Sequence, residues 1–90
     1  MQNGQLKGKT ALVTGSTSGI GLGMAQALAA QGAHIIFNGF GDAAMIAALQ
    51  KETESTYAVD TLYCAADMSR PAEIEAMMQH AAARFGGIDI

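Results

Sequence analysis

Short unbroken apolar blocks alternate along this chain with longer stretches in which apolar residues recur every three or four positions. Thr10 to Val13 is such a block, and a run without a polar face predicts a strand buried on both sides, as strands of parallel sheets are. From Ile20 the apolar positions Leu22, Ala25, Leu28 and Ala29 fall on one side of a helix, which Gly32 can end in a left-handed conformation. His34 to Asn38 holds Ile35, Ile36 and Phe37 in succession and predicts a second buried strand, running into the glycine-flanked turn Gly39-Phe40-Gly41. Asp42 suits the N-cap of a helix from Ala43 to about Thr53, with Ile46 and Leu49 facing one way; Thr53, Ser55 and Thr56 blur its end. Thr61 to Ala65 predicts a third strand. Beyond it Ile74, Met77, Met78, Ala81, Ala82 and Phe85 trace the clearest helical period in the chain. Ser69 is its expected cap, Pro71 falls in its first turn, Gly86-Gly87 closes it, and Met77, Met78 and Phe85 are assigned to the core. Ile88-Asp89-Ile90 reads as the start of a fourth strand.

The order βαβαβα followed by an incipient strand predicts an α/β fold, a Rossmann-type doubly wound parallel sheet with helices on both faces and right-handed crossovers. The strand order expected of such a sheet is 3-2-1-4, which puts the fourth strand beside the first. Residues 1–90 then form the N-terminal portion of a single dinucleotide-binding domain, ending where the fourth strand begins. Thr10–Val13 is expected to be left as an open edge, and the 90 residues are not expected to fold stably alone. No internal repeat or low-complexity tract suggests another architecture.

Between the first block and the first helical stretch lies Thr14-Gly15-Ser16-Thr17-Ser18-Gly19-Ile20-Gly21. A loop that leaves the carboxyl end of a parallel strand and opens a helix gathers free N–H groups and the positive end of the helix dipole at one spot, where a phosphate fits. Gly15, Gly19 and Gly21 are placed for a turn with positive φ, for close backbone approach to an anion and for tight helix–strand packing. The hydroxyls of Ser16, Thr17 and Ser18 can donate to phosphate or ribose oxygens while also ordering the turn. The alternative is a tight connection whose glycines serve packing alone, and the position in the first of three βα units favours a nucleotide. Gly21 is not followed by Lys-Ser or Lys-Thr, so the loop is not a P-loop.

Composition narrows the partners. Half of the residues are hydrophobic and 14% are charged, with net charge -3 and five basic residues scattered along the chain. No basic stripe is present to follow a nucleic-acid backbone, and no apolar run approaches the ~20 residues of a membrane helix. Neither nucleic acid nor membrane is an expected partner. A single Cys64 and an N-terminus without an apolar signal region point to a reducing, cytoplasmic setting. Cys64 itself reads as a small core hydrophobe. His34 and His80 lack neighbours at ligand spacing, so no metal site is expected. Glu52/Glu54 and Glu73/Glu75 are i, i+2 pairs that do not face each other on a helix.

Leu6 to Asp42, "LKGKTALVTGSTSGIGLGMAQALAAQGAHIIFNGFGD", resembles the N-terminus of the short-chain dehydrogenases/reductases, whose cofactor loop reads TGxxxGIG. Within that family it is similar to the D-3-hydroxybutyrate dehydrogenases, which share "NGFGD" at Asn38 to Asp42. "AADMS", Ala65 to Ser69, and "FGGIDI", Phe85 to Ile90, extend the resemblance over nearly the whole chain. It implies that Gly15, Thr17, Ser18, Gly19 and Ile20 line a pyrophosphate and the adjoining ribose, and that Phe40 lies against the adenosine. It further implies that Asp67 and Met68 flank the adenine, the Asp67 carboxylate accepting from the exocyclic amine; on its own, Asp67 reads as a solvated strand-end residue.

The implied chemistry is hydride transfer between a secondary alcohol, a short hydroxy acid such as D-3-hydroxybutyrate, and NAD, in a homotetramer. A short-chain enzyme for another alcohol or ketone, or a complete but non-catalytic nucleotide-binding module, are the alternatives. NAD is favoured over NADP because no cation stands at the end of the second strand or in the glycine loop, although the usual acid for the NAD ribose is missing at Asn38, Gly39 and Phe40, and Asp42 reads first as a cap. The family's Tyr-x-x-x-Lys acid/base pair is not in these residues: Tyr57 is followed four places on by Thr61, and Tyr63 by Asp67.

Overall fold

Three of the apolar blocks become the strands of one parallel sheet in a computed structural model that describes residues 5–17, 19–67 and 69–90. The strands are β1 (Thr10–Val13), β2 (His34–Asn38) and β3 (Thr61–Cys64), in spatial order β1-β2-β3. Val13 stands beside Phe37, and Phe37 beside Tyr63, so the strands end nearly level and their carboxyl ends form one edge. The helices α1 (Gly19–Ala30), α2 (Ala43–Tyr57) and α3 (Pro71–Phe85) connect and follow them in strict alternation. The chain is an α/β fragment of the Rossmann kind.

Strand alternation sorts the apolar residues onto two faces. Ala11, Val13, Ile35 and Phe37 point one way and pack with Ala25 and Ala29 of α1, joined by Leu49 and Tyr57 of α2. Ile36 and Cys64 point the other way and meet Met77 and Ala81 of α3, with Leu12 and Leu62 beside them. A strand buried on both faces must be apolar at consecutive positions, which is why β2 reads Ile-Ile-Phe.

Five expectations need correction. The second helix runs to Tyr57, past Thr53, because the Thr53 hydroxyl donates to the Leu49 carbonyl at 2.9 Å and that of Ser55 to the Lys51 carbonyl at 3.0 Å. Both bond back one turn along the helix instead of breaking it. Its end comes at Ala58, in the left-handed conformation with φ 57°, whose N–H donates to the Glu54 carbonyl. Ser69 does not cap α3; Arg70 holds that position without a side-chain capping bond, since Asp67 engages Ser69 instead. Met78 is 47% exposed, outside the narrow stripe of α3 that meets the sheet. The third strand ends at Cys64, one residue before Ala65.

Nor is β1 an open edge. The Asp89 N–H donates to the Thr10 carbonyl at 2.8 Å, the Leu12 N–H donates to the Ile90 carbonyl at 3.1 Å, and the Asp89 carboxylate accepts from the Thr10 N–H at 2.9 Å. The Lys9 carbonyl, on the other side of the strand, accepts from His34 of β2. Residues 88–90 carry no strand assignment, yet they lie where a fourth strand beside the first begins. Asp42 caps α2 as expected, its carboxylate accepting from the Met45 N–H at 3.1 Å.

Candidate functional site

The level carboxyl ends of the strands open into a cleft of about 540 Å³, bounded by the loops that follow β1, β2 and β3. Such crevices at the carboxyl edge of a parallel sheet are where α/β folds bind ligands. Its walls are Thr14, Gly15 and Thr17 from the first loop, Asn38 to Phe40 from the second, and Ala66 and Asp67 from the third. Gly15, Thr17, Phe40 and Asp67, singled out from sequence, therefore share one cleft. Gly19 and Ile20 stand outside its lining, in the first turn of α1, where Ile20 is 85% exposed. Ser18 and Met68 lie outside the described residues.

The glycine loop has the geometry its spacing implies. Gly15 and Gly19 both have φ +62°, and a side chain built on either would meet only open space, so the loop presents bare backbone outward. Gly21 is different: a Cβ there would run into the Gly15 carbonyl, so the first turn of α1 can close onto the loop only with glycine at this position.

Two of the loop hydroxyls are otherwise engaged. Ser16 is fully buried, and its Oγ donates to the Asn38 carbonyl at 3.2 Å and accepts from the Asn38 N–H at 2.9 Å. The Thr17 hydroxyl donates to the Phe40 carbonyl at 2.9 Å. Both side chains tie the glycine loop to the end of β2, which is the ordering of the turn expected of them.

Two participants were not singled out from sequence. Asn38 is 3% exposed, and its carboxamide nitrogen donates to the Cys64 carbonyl at 3.1 Å and the Ala66 carbonyl at 2.9 Å. The Tyr63 hydroxyl donates to the Gly39 carbonyl. One signal was present: an amide at the end of an apolar strand must find partners if it is buried. Which carbonyls it would reach depends on a strand far along the chain.

Asp67 forms the far wall. Its N–H donates to Glu73 Oε1 at 2.8 Å, and its Oδ1 accepts from both the N–H and the hydroxyl of Ser69, at 2.9 and 2.7 Å. The Ser69 hydroxyl and then its N–H hold the Asp67 carboxyl below its ordinary value. Among the described residues, Asp67 is the one charged residue lining the cleft. Arg70, close by in the chain, is paired with Glu73 at 3.0 Å. Elsewhere, burial pushes the Cys64 thiol up, as expected of an inert core cysteine. A second hollow of about 630 Å³ lies between β3 and α3, away from the glycine loop. Among the described residues no group of three His, Cys, Asp or Glu is placed to hold a metal ion, and no helix is long and apolar enough to cross a membrane.

Comparison with known proteins agrees with this geometry. The family model for short chain dehydrogenase matches residues 9–90. The chain is 61% identical over 85 residues to a D-beta-hydroxybutyrate dehydrogenase of Cupriavidus necator, covering 94% of this chain and 32% of that protein. A D-beta-hydroxybutyrate dehydrogenase of Rhizobium meliloti is 49% identical over 82 residues, covering 91% of this chain and 32% of the relative. Among solved structures, L-sorbose reductase of Gluconobacter frateurii, complexed with NADPH and L-sorbose, superimposes with TM-score 0.85 at 32% identity, over 93% of this chain and 32% of that one. The chain thus spans about a third of the length of these relatives. With the family model matched from Lys9 onward and the sheet, glycine loop and carboxyl-edge cleft in place, the chain belongs to the short chain dehydrogenase family.

Proposed function

We propose that this chain is the cofactor-binding front of an oxidoreductase that transfers a hydride between D-3-hydroxybutyrate and NAD, giving acetoacetate and NADH. The observation that carries the cofactor reading is the cleft itself, with bare glycine backbone on one side, the exposed ring of Phe40 on another and the Asp67 carboxylate opposite. These residues fit a dinucleotide. Gly15 and Gly19 offer N–H groups without side-chain cover to the pyrophosphate, together with Thr17, Ser18 and Ile20. Phe40 offers an aromatic face to the adenosine. Asp67 and Met68 take the adenine edge, where the Asp67 carboxylate accepts from the exocyclic amine.

NAD is chosen over NADP on charge. A 2′-phosphate needs a cation, and the described residues of the cleft lining include a carboxylate and no Lys or Arg. When bound, the nicotinamide supplies the hydride acceptor. The described residues hold and orient the adenine half, while the acid/base group belongs to sequence outside these 90 residues, since neither Tyr57 nor Tyr63 begins Tyr-x-x-x-Lys. The substrate reading rests on the similarity to the two D-beta-hydroxybutyrate dehydrogenases. A cytoplasmic, homotetrameric enzyme completes the reading; its mass by light scattering tests the assembly.

The deciding experiment titrates the full-length protein with NAD and with NADP, then assays it with D-3-hydroxybutyrate. Tighter binding of NAD and formation of NADH are the expected results. Tighter binding of NADP would overturn the cofactor choice. Binding of NAD without turnover of D-3-hydroxybutyrate would overturn the substrate and leave an enzyme for another alcohol.

A further inference from the structure

Three chain segments form the cleft, and one residue joins all of them, its backbone to one and its side chain to another. Asn38 exchanges hydrogen bonds with Ser16 of the glycine loop through its own N–H and carbonyl, and it reaches across to the Cys64 and Ala66 carbonyls through its carboxamide. The backbone N–H of Ser16 adds a further bond to the Asn38 carbonyl at 2.7 Å. Both hydrogens of the carboxamide are spent on β3 and the loop that carries Asp67.

We infer that Asn38 is a positioning residue for the cofactor, fixing the Asp67 wall of the cleft against the glycine-loop wall, with Tyr63 fixing the Phe40 wall in the same manner. The inference rests on the dinucleotide reading of the cleft. It also accounts for the acid missing from the end of β2. A carboxylate at position 38 could accept but not donate, so it would face the Cys64 and Ala66 carbonyls with no proton to give either. The side chain is turned to β3 and holds the pocket together.

Tyr63 plays the smaller part. Its hydroxyl holds the Gly39 carbonyl while the Thr17 hydroxyl holds that of Phe40, so consecutive carbonyls of the turn are pinned from opposite sides. Between these bonds the 75%-exposed Phe40 is presented by a fixed backbone without being buried.

The test uses the full-length protein. Asn38→Asp removes both donors at nearly unchanged volume, and Tyr63→Phe removes one hydroxyl from a residue whose ring still packs. Affinities for NAD and for ADP-ribose, which is NAD without the nicotinamide, are measured by titration, alongside kcat and KM. For Asn38→Asp both affinities are expected to fall together by about tenfold or more, on the scale of one buried polar group left unpaired. KM for NAD should rise with them, while kcat at saturating cofactor falls far less. For Tyr63→Phe a loss of about threefold to tenfold is expected, the scale of one net hydrogen bond.

A residue that only supports the fold would lower thermal stability and kcat together and leave the ADP-ribose affinity of the folded protein unchanged, which would overturn the inference. If Asn38→Asp does not fold, Tyr63→Phe decides: unchanged affinity for NAD and ADP-ribose overturns the brace. Wild-type protein that binds neither ligand would instead sink the dinucleotide reading, so the two failures are distinguishable.

Discussion

The middle of the sheet and its carboxyl end are held by different physics, although they are neighbours in sequence. In the middle, Ile35, Ile36 and Phe37 are fully buried, with Ala25 and Ala29 on one side and Met77 and Ala81 on the other. One residue further on, Asn38 is almost as buried, but every contact that defines it is a hydrogen bond to another strand or loop. Two residues beyond that, Phe40 is 75% exposed. Apolar burial is non-directional and grows with the area removed from water, so it decides whether the sheet exists. Hydrogen bonds are directional and contribute only ~0.5–1.5 kcal/mol each, so they decide where the cleft walls stand. Substitutions in the middle should therefore change stability, and substitutions at the end should change cofactor affinity.

The hardest attempt to break that division is Phe37→Ala. Deleting a fully buried ring leaves a cavity between α1 and the sheet and is expected to lower stability of the full-length protein by ~3–5 kcal/mol. Denaturant unfolding measures this as a lower midpoint with unchanged slope. The affinity of the protein that remains folded should stay near wild type. A loss of stability below ~1 kcal/mol would mean that the middle of the sheet is not the main source of stability.

Phe40→Ala is the mirror experiment. With the ring exposed, its removal should leave stability within ~0.5 kcal/mol. If the ring lies against the adenosine, NAD affinity should fall by ~1–3 kcal/mol, roughly 5-fold to 150-fold, the cost of losing base–aromatic stacking. The same loss should appear with ADP-ribose. A variant that unfolds more easily but binds NAD normally would reverse the assignment of the two regions.

These regions also differ in how far they were legible from sequence. The middle was legible because periodicity alone describes it: the limits of β1 and β2 follow from the apolar blocks, and both faces follow from consecutive apolar residues. What failed there failed at margins. Met78 shares a helical period with Met77 but not its burial, because period gives the direction of a stripe and not its width. The end of α2 was obscured because Thr53 and Ser55 suit either a turn or a bond back along the helix, and only the fold decides.

At the carboxyl end, the glycine spacing brought out Gly15 and Gly21, whose constraints are local. The partners of Asn38 and Tyr63 lie more than twenty residues away in the chain, so no local pattern signals them. The Ser69 hydroxyl expected to cap α3 is taken by a competitor within two residues, since the Asp67 carboxylate accepts both its N–H and its hydroxyl.

That competition provides the smallest and most selective prediction. The Ser69 bonds stabilise the charged form of Asp67, so its carboxyl is held below its ordinary value in the folded protein. A depressed carboxyl binds its proton less readily folded than unfolded; its contribution is fully present above the unfolded pKa and is lost as pH falls through the folded one. Any affinity that Asp67 gives the cofactor should accordingly persist to lower pH than an unassisted aspartate would allow. Ser69→Ala deletes the hydroxyl, the larger of the two causes, and leaves the N–H. The Asp67 titration, followed by the carboxyl carbon's chemical shift, should move upward toward the ordinary range, and the acid loss of NAD affinity should move with it. At neutral pH the carboxylate is charged in both proteins, so affinity there should scarcely change. A titration that stays in place would assign the depressed value to another neighbour, whereas one that moves without the NAD profile would separate Asp67 from adenine recognition and confine the carboxyl-end effects to the Asn38–Ser16 and Phe40 walls.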